Sequence, residues 1–225
     1  MTRETFQLLD GYMRSCVCDS MHDPTHIYRV LARALKIAET EPGVCPDVLI
    51  AACLLHDIAR SEQYDDPRLC HAQEGGRKAA AFLRENGFEE PFIQKVCACI
   101  QTHRYRAATP PQSIEAKILF DADKLDAAGA MGIARTLMFQ GKTGQPLYVR
   151  TADGAIDPAQ ESFYREYTVK LQRLYDRFYT AEGQRMARCA QAAAAAFFQA
   201  LNSEADQAQL HAGALCAHLT DGQAV

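Results

Sequence analysis

The most hydrophobic segment of the chain spans residues 48–55, where every position is apolar. A helix in this segment has no polar face, so the pattern predicts a helix that is buried in the centre of the fold. Pro46 suits the first turn of that helix, because its missing N–H group would make no intrahelical hydrogen bond there. The polar pair His56-Asp57 ends the apolar run and is predicted to lie at the edge of the core.

A second helix is predicted to begin at Pro24, with Asp23 as its N-cap. Its apolar residues recur at the spacing i, i+3, i+4, i+7, i+8 and i+11, which is typical of an amphipathic helix. His26 lies on the flank of this apolar stripe. The residues predicted to face inward are Ile27, Val30, Leu31, Ala34, Leu35 and Ala38.

The remaining helices are predicted from the same periodicity and from Gly, Pro and capping residues at their ends. A loop that could act as a lid is predicted at residues 140–158, which are rich in Gly, Pro and Asp. The predicted helices cover residues 4–20, residues 67–86, a segment from Pro91 to about His103, a segment capped by Ser113 that includes DADKLDAAGAMG, a long segment from about residue 160 to Phe178, and an alanine-rich segment to about Leu201.

No alternating strand pattern is found, so the predicted fold class is all-α. We expect one helical bundle over residues 1–202, with its motif-bearing core at 22–135 and additional C-terminal helices at 160–202. Residues 203–225 are expected to form a weakly ordered terminal helix and tail.

Composition limits the classes of partner. The net charge is -4 and the sequence pI is about 6.0, so no basic field favours a stable nucleic-acid partner. The N-terminal residues lack an apolar signal region and no apolar stretch reaches the length of a membrane span, so a cytoplasmic protein without membrane contact is expected. Most of the nine cysteines lie in apolar helical patterns, which predicts reduced, buried thiols such as Cys53, Cys97, Cys99 and Cys189.

His56 and Asp57 need polar partners if they are buried, because an imidazole and a carboxylate without hydrogen bonds or a cation are unfavourable in a core. A hydrogen-bonded His-Asp pair is one solution and a divalent metal ion is the other. His26 and an aspartate of the DADKLDA segment are expected to point to the same place. Imidazole and carboxylate ligands together suit Mn, Fe, Zn, Co or Ni, and the oxygen donors shift the preference toward Mn or Mg.

The order His26, His56-Asp57 and Asp123 resembles the H…HD…D signature of the HD-domain metal-dependent phosphohydrolases. The resemblance is closest to a stand-alone bacterial subgroup and covers roughly residues 20–190. It implies a helical bundle around one divalent metal ion, held by these four residues, and hydrolysis of a nucleotide or another small phosphorylated metabolite. The matching segments are HDPTHIYRV, AACLLHDIA, IQTHR, EAKILFDADKLDAAGAMGIAR and KLQRLYDRFYTAEGQRMA.

Spacing alone leaves the choice of aspartate open, because Asp123 and Asp126 share a helix face. The ADxL pattern of related HD enzymes maps onto Asp123, so the resemblance implies Asp123 as the ligand. Asp126 is then expected nearby, either behind the ligands or as a catalytic base. Asp121 faces elsewhere and is expected to pair with Lys117 or to cap a neighbouring element.

Other residues are expected around the metal. His103 ends an apolar stripe and is expected to protonate a leaving oxygen or bind phosphate, and His71 could bind phosphate or a second metal ion. At Glu166-Tyr167 the chain departs from the His-Phe pair that is frequent in the subgroup, which could change substrate preference. The residues expected to bind substrate phosphate are Arg104, Lys124, Arg135 and Lys170.

Two alternatives to a hydrolase remain open at the level of sequence. A regulatory HD module would bind a nucleotide with little or no turnover, and a di-iron HD-type oxygenase would require both His71 and His103 as ligands. The alanine-rich residues 190–196 could form either an internal contact or a homodimer contact.

Overall fold

The computed structural model describes residues 1–17, 24–104 and 109–221, so the predicted N-cap Asp23 lies outside the described residues. The helices are α1 (Arg3–Cys16), α2 (Pro24–Ala38), α3 (Pro46–Leu55), α4 (Arg60–Asp65), α5 (His71–Glu85), α6 (Glu90–Thr102), α7 (Ile114–Asp126), α8 (Gly129–Lys142), α9 (Phe163–Val169), a 3₁₀ helix (Leu171–Asp176) and α10 (Ala181–Asp221). Apart from an isolated bridge between Arg150 and Ile156, the described residues contain no β-structure, which confirms the all-α prediction.

Helix α3 forms the centre of the bundle, as its uninterrupted apolar sequence predicts. Helices α1, α2, α6 and α7 pack around it, so its C-terminal end lies inside the fold. His56 and Asp57 follow this helix directly and are buried with it. The core therefore fixes the position of the polar pair.

Helix α2 packs against both α3 and α7. Its buried stripe contains most of the predicted residues, but Leu35 is 41% exposed, so its predicted inward position is wrong. Val30, Ala34 and Ile37 lie at i, i+4 and i+7 and define the centre of the buried face, which places Leu35 beyond its edge. His26, in the first turn of α2, is buried on the same face.

The chain bends between α7 and α8, so the predicted single helix through DADKLDAAGAMG is wrong. Gly129 has a φ of 58°, and a Cβ atom on Gly132 would lie only 2.1 Å from the carbonyl oxygen of Ala127. Glycine at these positions permits the sharp bend. A Cβ atom on Gly129 would also lie 3.1 Å from the Cβ atom of Ala190, which agrees with the predicted close approach of a neighbouring helix.

The predicted long helix after residue 160 is divided into α9 and the 3₁₀ helix, with Lys170 between them. Its inward side chains are nevertheless buried as predicted: Phe163, Tyr167, Leu171, Leu174 and Phe178. The loop predicted at residues 140–158 is observed at residues 143–162, because residues 140–142 belong to α8. The separate terminal helix predicted after Leu201 is wrong, because α10 continues without interruption to Asp221.

Asp121 anchors the beginning of α10. This fully buried carboxylate accepts hydrogen bonds from the backbone N–H groups of Tyr179 (2.9 Å) and Thr180 (2.8 Å) and from the Thr180 hydroxyl group (2.7 Å). Burial raises the pKa of Asp121, against the opposing effect of these hydrogen bonds. The contacts agree with the prediction that Asp121 caps a neighbouring element.

Gly183→Ala is expected to lower the free energy of unfolding by about 1–3 kcal/mol, the usual effect of overpacking. The new Cβ atom would lie 2.5 Å from Asp121 Oδ2 and 2.6 Å from the Thr180 hydroxyl oxygen, so this anchor would have to move. Thermal melting measures the effect. Gly11→Ala is the matched control, because a Cβ atom there meets nothing within 4 Å and alanine favours the helix. Equal melting temperatures of the two variants would contradict the role of the anchor.

Cys53 and Cys99 are buried as predicted, whereas Cys97 is only half-buried and Cys189 is exposed. Burial raises the pKa of the Cys99 thiol to about 12, which keeps it protonated at neutral pH. Among the residues that the structure describes, no helix combines the length and the apolar character needed to span a membrane.

Candidate metal centre

Six polar side chains meet beside the C-terminal end of α3. They lie at or near the ends of helices, so the packing of the bundle brings together residues that are far apart in sequence. The six are His26 in the first turn of α2, His56 and Asp57 after α3, His71 at the start of α5, His103 after α6 and Asp123 in the last turn of α7.

The first group consists of His26, His56 and Asp123, whose potential ligand atoms lie within 4.8 Å of one another. His26 Nε2 lies 3.6 Å from Asp123 Oδ1 and 3.7 Å from Asp57 Oδ2. His56 Nε2 lies 4.0 Å and 3.9 Å from the same two oxygens. The structure therefore brings together the four residues expected to bind metal.

The second group consists of Asp57, His71 and His103, again within 4.8 Å of one another. Asp57 Oδ1 lies 3.6 Å from the Nε2 atoms of both His71 and His103. These two nitrogens are 3.3 Å apart. Asp57 thus joins the two groups. Its Oδ2 atom faces His26 and His56 of the first group, and its Oδ1 atom faces His71 and His103 of the second.

The first group fits a divalent cation. His56 Nδ1 lies 2.7 Å from the carbonyl oxygen of Cys53, which can only accept a hydrogen bond, so Nε2 carries the lone pair. Within the described residues, the buried His56 Nε2 makes no hydrogen bond. A buried lone pair that faces the oxygens of Asp57 and Asp123 is unfavourable without a cation, and these donors are suitable metal ligands.

Burial favours the neutral form of one imidazole in each group, His56 and His71. It lowers the pKa of His56 to about 4 and that of His71 to about 3. Burial alone would raise the pKa of Asp123, but the positive charge of the adjacent Lys124 is the largest of the opposing effects, and the pKa is lowered overall. At neutral pH His56 and His71 are therefore neutral and Asp123 is ionised, the forms that metal binding requires.

Asp126 lies next to Nδ1 of His26, whereas Asp57 and Asp123 lie near Nε2 of the same ring. The fully buried carboxylate of Asp126 is 2.8 Å from His26 Nδ1, and it accepts hydrogen bonds from Arg29, Arg33 and Arg135. Burial opposes ionisation, but the hydrogen bonds from Arg29, His26 and Arg33 hold the pKa of Asp126 far below its usual range. A carboxylate paired in this way is a poor proton acceptor, so the contacts favour the position behind the ligands over the role of catalytic base. They suit a residue that orients His26.

Three of the four expected phosphate-binding residues lie next to these groups. Lys124 Nζ is 2.6 Å from Asp123 Oδ2, and Arg135 Nη1 is 3.2 Å from His26 Nδ1. Arg104 Nη1 lies 3.3 Å from the sulfur of Cys70, the residue that precedes His71. Lys170 instead pairs with Glu166 of α9, and its side chain is 54% exposed.

Arg29 and Arg33 were not predicted from the sequence. They lie three and seven residues after His26, which places all three on one face of α2. That spacing was the sequence signal that could have identified Arg29 and Arg33 as neighbours of His26. It could not show that the same face meets Asp126 of α7, because this contact depends on the packing of the two helices.

The sequence comparisons agree with this geometry. The model of the HD domain family matches residues 25–128. Bacillus subtilis YpgQ is 33% identical over 171 residues, which are 75% of this chain and 77% of YpgQ. This chain belongs to the HD-domain family. Its resemblance to that family, based on the H…HD…D order, is thereby confirmed.

Solved structures of HD-domain proteins share the fold. The structure of Bacillus subtilis YpgQ in complex with ADP has a TM-score of 0.70 and 28% identity, and the match covers 88% of this chain and 97% of that chain. An HD-superfamily hydrolase from Bacillus thuringiensis has a TM-score of 0.71 and 29% identity, with 90% and 97% covered. HD domains bind divalent metals, and both groups of this chain could hold one.

Proposed function

We propose that this HD-domain protein is a metal-dependent phosphohydrolase that acts on a nucleotide or another small phosphorylated metabolite. The observation that carries the proposal is the buried His56 Nε2 atom, which faces the carboxylate oxygens of Asp57 and Asp123. Relatives named HD-superfamily hydrolases support hydrolysis as the type of reaction.

In this proposal His26, His56, Asp57 and Asp123 hold one divalent ion. The mixed nitrogen and oxygen donors favour Mn²⁺, with Mg, Fe, Co, Ni and Zn as the other candidates. A bound ion would polarise a phosphoryl oxygen and lower the pKa of a water molecule. The chain contributes preorganisation, because the buried helix α3 fixes His56 and Asp57 before any substrate arrives.

In the proposed reaction we assign assisting roles to His103 and Lys124. His103 Nδ1 lies 2.5 Å from the carbonyl oxygen of Ile100, so Nε2 carries the lone pair and faces Asp57. That nitrogen would accept a proton from the attacking water and return it to the leaving oxygen. Lys124, beside Asp123, would place a positive charge near the phosphoryl group, and Arg104 and Arg135 would flank it.

A nucleotide is the preferred substrate in this proposal. YpgQ has been crystallised in complex with ADP, and its match to this chain extends over nearly its whole length. We therefore extend nucleotide binding from that relative to this protein. The group of Asp57, His71 and His103 would either hold a second ion or contact phosphate through His71, and metal content distinguishes these roles.

Hydrolysis by protein reloaded with a single metal tests the proposal. Purified protein would be stripped of metal, reloaded with Mn, Mg, Fe, Co, Ni or Zn, and offered nucleoside mono-, di- and triphosphates and cyclic dinucleotides. Phosphate, pyrophosphate and triphosphate would be measured separately, together with the number of metal ions bound per chain. We expect turnover of at least one nucleotide, highest with Mn.

The other outcomes identify the alternatives. Tight metal binding and thermal stabilisation by nucleotides without any product would contradict the hydrolase and indicate a nucleotide-binding module. Two iron ions per chain and oxidase activity without hydrolysis would indicate the oxygenase.

A further inference from the structure

Helix α5 packs directly against the turn that carries His56 and Asp57. A Cβ atom on the buried Gly75 would lie 3.4 Å from the backbone oxygen of His56, so the backbones of the two segments are close together. Almost one helical turn further along α5, Lys78 Nζ donates a hydrogen bond of 2.8 Å to the backbone oxygen of Ile58, the residue after Asp57. A neighbouring helix therefore holds the turn at the residue next to Asp57.

Lys78 also connects α4 to the same turn. Its ammonium group forms an ion pair with Glu62 in the first turn of α4. Helix α4 carries Gln63, whose Oε1 atom lies 2.5 Å from Nδ1 of His71, the first residue of α5. One side chain thus contacts both the turn that carries Asp57 and the helix whose next residue contacts His71, and Asp57 and His71 both belong to the second group.

The orientation of this turn matters because Asp57 joins the two groups. Asp57 Oδ2 lies 3.9 Å from His56 Nε2 and Oδ1 lies 3.6 Å from His71 Nε2, so a rotation of the turn would move both oxygens at once. The turn follows the C-terminal end of α3, where backbone carbonyl groups lack intrahelical partners and attract a cation. The side chain of Lys78 is only 26% exposed, which is unusual for a lysine, and its ammonium group is directed at this turn.

We infer that Lys78 is a positioning residue for the metal centre: through the backbone oxygen of Ile58 it holds the turn in the orientation in which Asp57 faces both groups. The inference rests on the proposed function, because it needs the carboxylate of Asp57 to bind metal. Among the described residues, Lys78 donates to Ile58 and Glu62 rather than to the side chains of the two groups, so its effect on metal binding is indirect.

Calorimetric titration of the metal-free full-length protein with Mn²⁺ tests the inference. Lys78→Met keeps an apolar stem but removes the ammonium group. It is expected to weaken Mn²⁺ binding by about tenfold, the lower end of the effect of residues that support metal ligands. Lys78→Arg keeps a cationic donor and should retain most of the affinity. In the metal-free state, the Arg60 amide, which donates to the backbone oxygen of Asp57 (3.1 Å), should exchange its hydrogen faster in Lys78→Met than in the wild type.

Arg77→Met is the matched control, because it removes a positive charge from the neighbouring position of α5, in an exposed pair with Glu74. Its Mn²⁺ affinity and its hydrogen exchange at Arg60 should equal those of the wild type. A lysine that only stabilises the fold would lower the melting temperature of Lys78→Met without changing its Mn²⁺ affinity. That result would overturn the inference, and so would an equal loss of affinity in Arg77→Met.

If Lys78→Met lost its helical content, Glu62→Gln would replace it, because that variant keeps Lys78 but removes the ion pair that orients it. Weaker Mn²⁺ binding by Glu62→Gln would support the inference, and unchanged binding would overturn it. Failure of the wild type to bind any divalent ion would contradict the proposed metal centre itself. Hydrogen exchange of the metal-free protein would then decide whether Lys78 holds the turn, and equal exchange at Arg60 in Lys78→Met and wild type would overturn that role.

Discussion

Asp57→Ala is expected to abolish nucleotide hydrolysis while leaving the helical fold intact. Asp57 Oδ2 faces His26 and His56, and Oδ1 faces His71 and His103, so its carboxylate joins the two groups. Residues that only support metal ligands contribute about 10- to 100-fold to metal affinity or activity, so loss of Asp57, which we propose as a direct ligand, should lower kcat/KM by more, about 10³-fold. Steady-state kinetics with metal-reloaded protein measure this loss.

Asp65→Ala is the control for Asp57→Ala. Asp65 is an exposed carboxylate at the end of α4, and its removal should leave kcat/KM and metal affinity unchanged. Circular dichroism would show that both variants keep the helical content of the wild type. If Asp57→Ala kept most of its activity and its metal affinity, Asp57 would not be a ligand and the proposed centre would have to be rejected.

The helices could be predicted from sequence where one segment carried enough information by itself. Residues 48–55 are apolar at every position, and the i, i+3, i+4 stripe of α2 defines its buried face. The bend between α7 and α8 was not predicted. The need for glycine there is visible only in three dimensions, where a Cβ atom at Gly129 would meet Ala190 and a Cβ atom at Gly132 would meet Ala127. Such boundaries are decided by tertiary contacts, which a linear pattern does not contain.

Prediction of the candidate site from sequence is limited in the same way, because a linear pattern does not contain tertiary contacts. The sequence indicated His26, His56, Asp57 and an aspartate of the DADKLDA segment, and the resemblance to the HD-domain family implied Asp123; the structure brings these four residues together at helix ends. The sequence could not decide between the two roles of Asp126, because that choice depends on which side chains of α2 and α8 surround the carboxylate. The contacts of Asp126 with Arg29, Arg33 and Arg135 favour orientation of His26 over the role of catalytic base.

Asp126→Asn is the second variant with a large expected effect, on stability and on metal affinity together. The substitution removes the negative charge that faces three guanidinium groups, and loss of one partner of a buried ion pair lowers the free energy of unfolding by about 3–5 kcal/mol. The arginines are partly exposed, so the lower end of that range is expected. His26 would lose its charged hydrogen-bond partner, which should weaken metal binding by about 10- to 100-fold.

The pH dependence of the difference between wild type and Asp126→Asn follows from the lowered pKa of Asp126. A depressed carboxyl pKa stabilises the folded state fully above the unfolded value of 3.8, and this contribution is lost as the pH falls below it. The stability difference from wild type should therefore stay constant from about pH 8 to pH 5 and shrink below about pH 4. Chemical denaturation at a series of pH values measures it.

Asp66→Asn is the matched control for Asp126→Asn, because it removes the carboxylate of an exposed ion pair with Arg68. Such exposed pairs contribute little to stability, so the stability and metal affinity of Asp66→Asn should remain close to the wild type. The two readouts of Asp126→Asn separate its roles. Reduced stability with unchanged metal affinity would show that Asp126 only balances the charge of the three arginines. Loss of both would show that the same carboxylate balances the arginines and holds His26 in the orientation for metal binding.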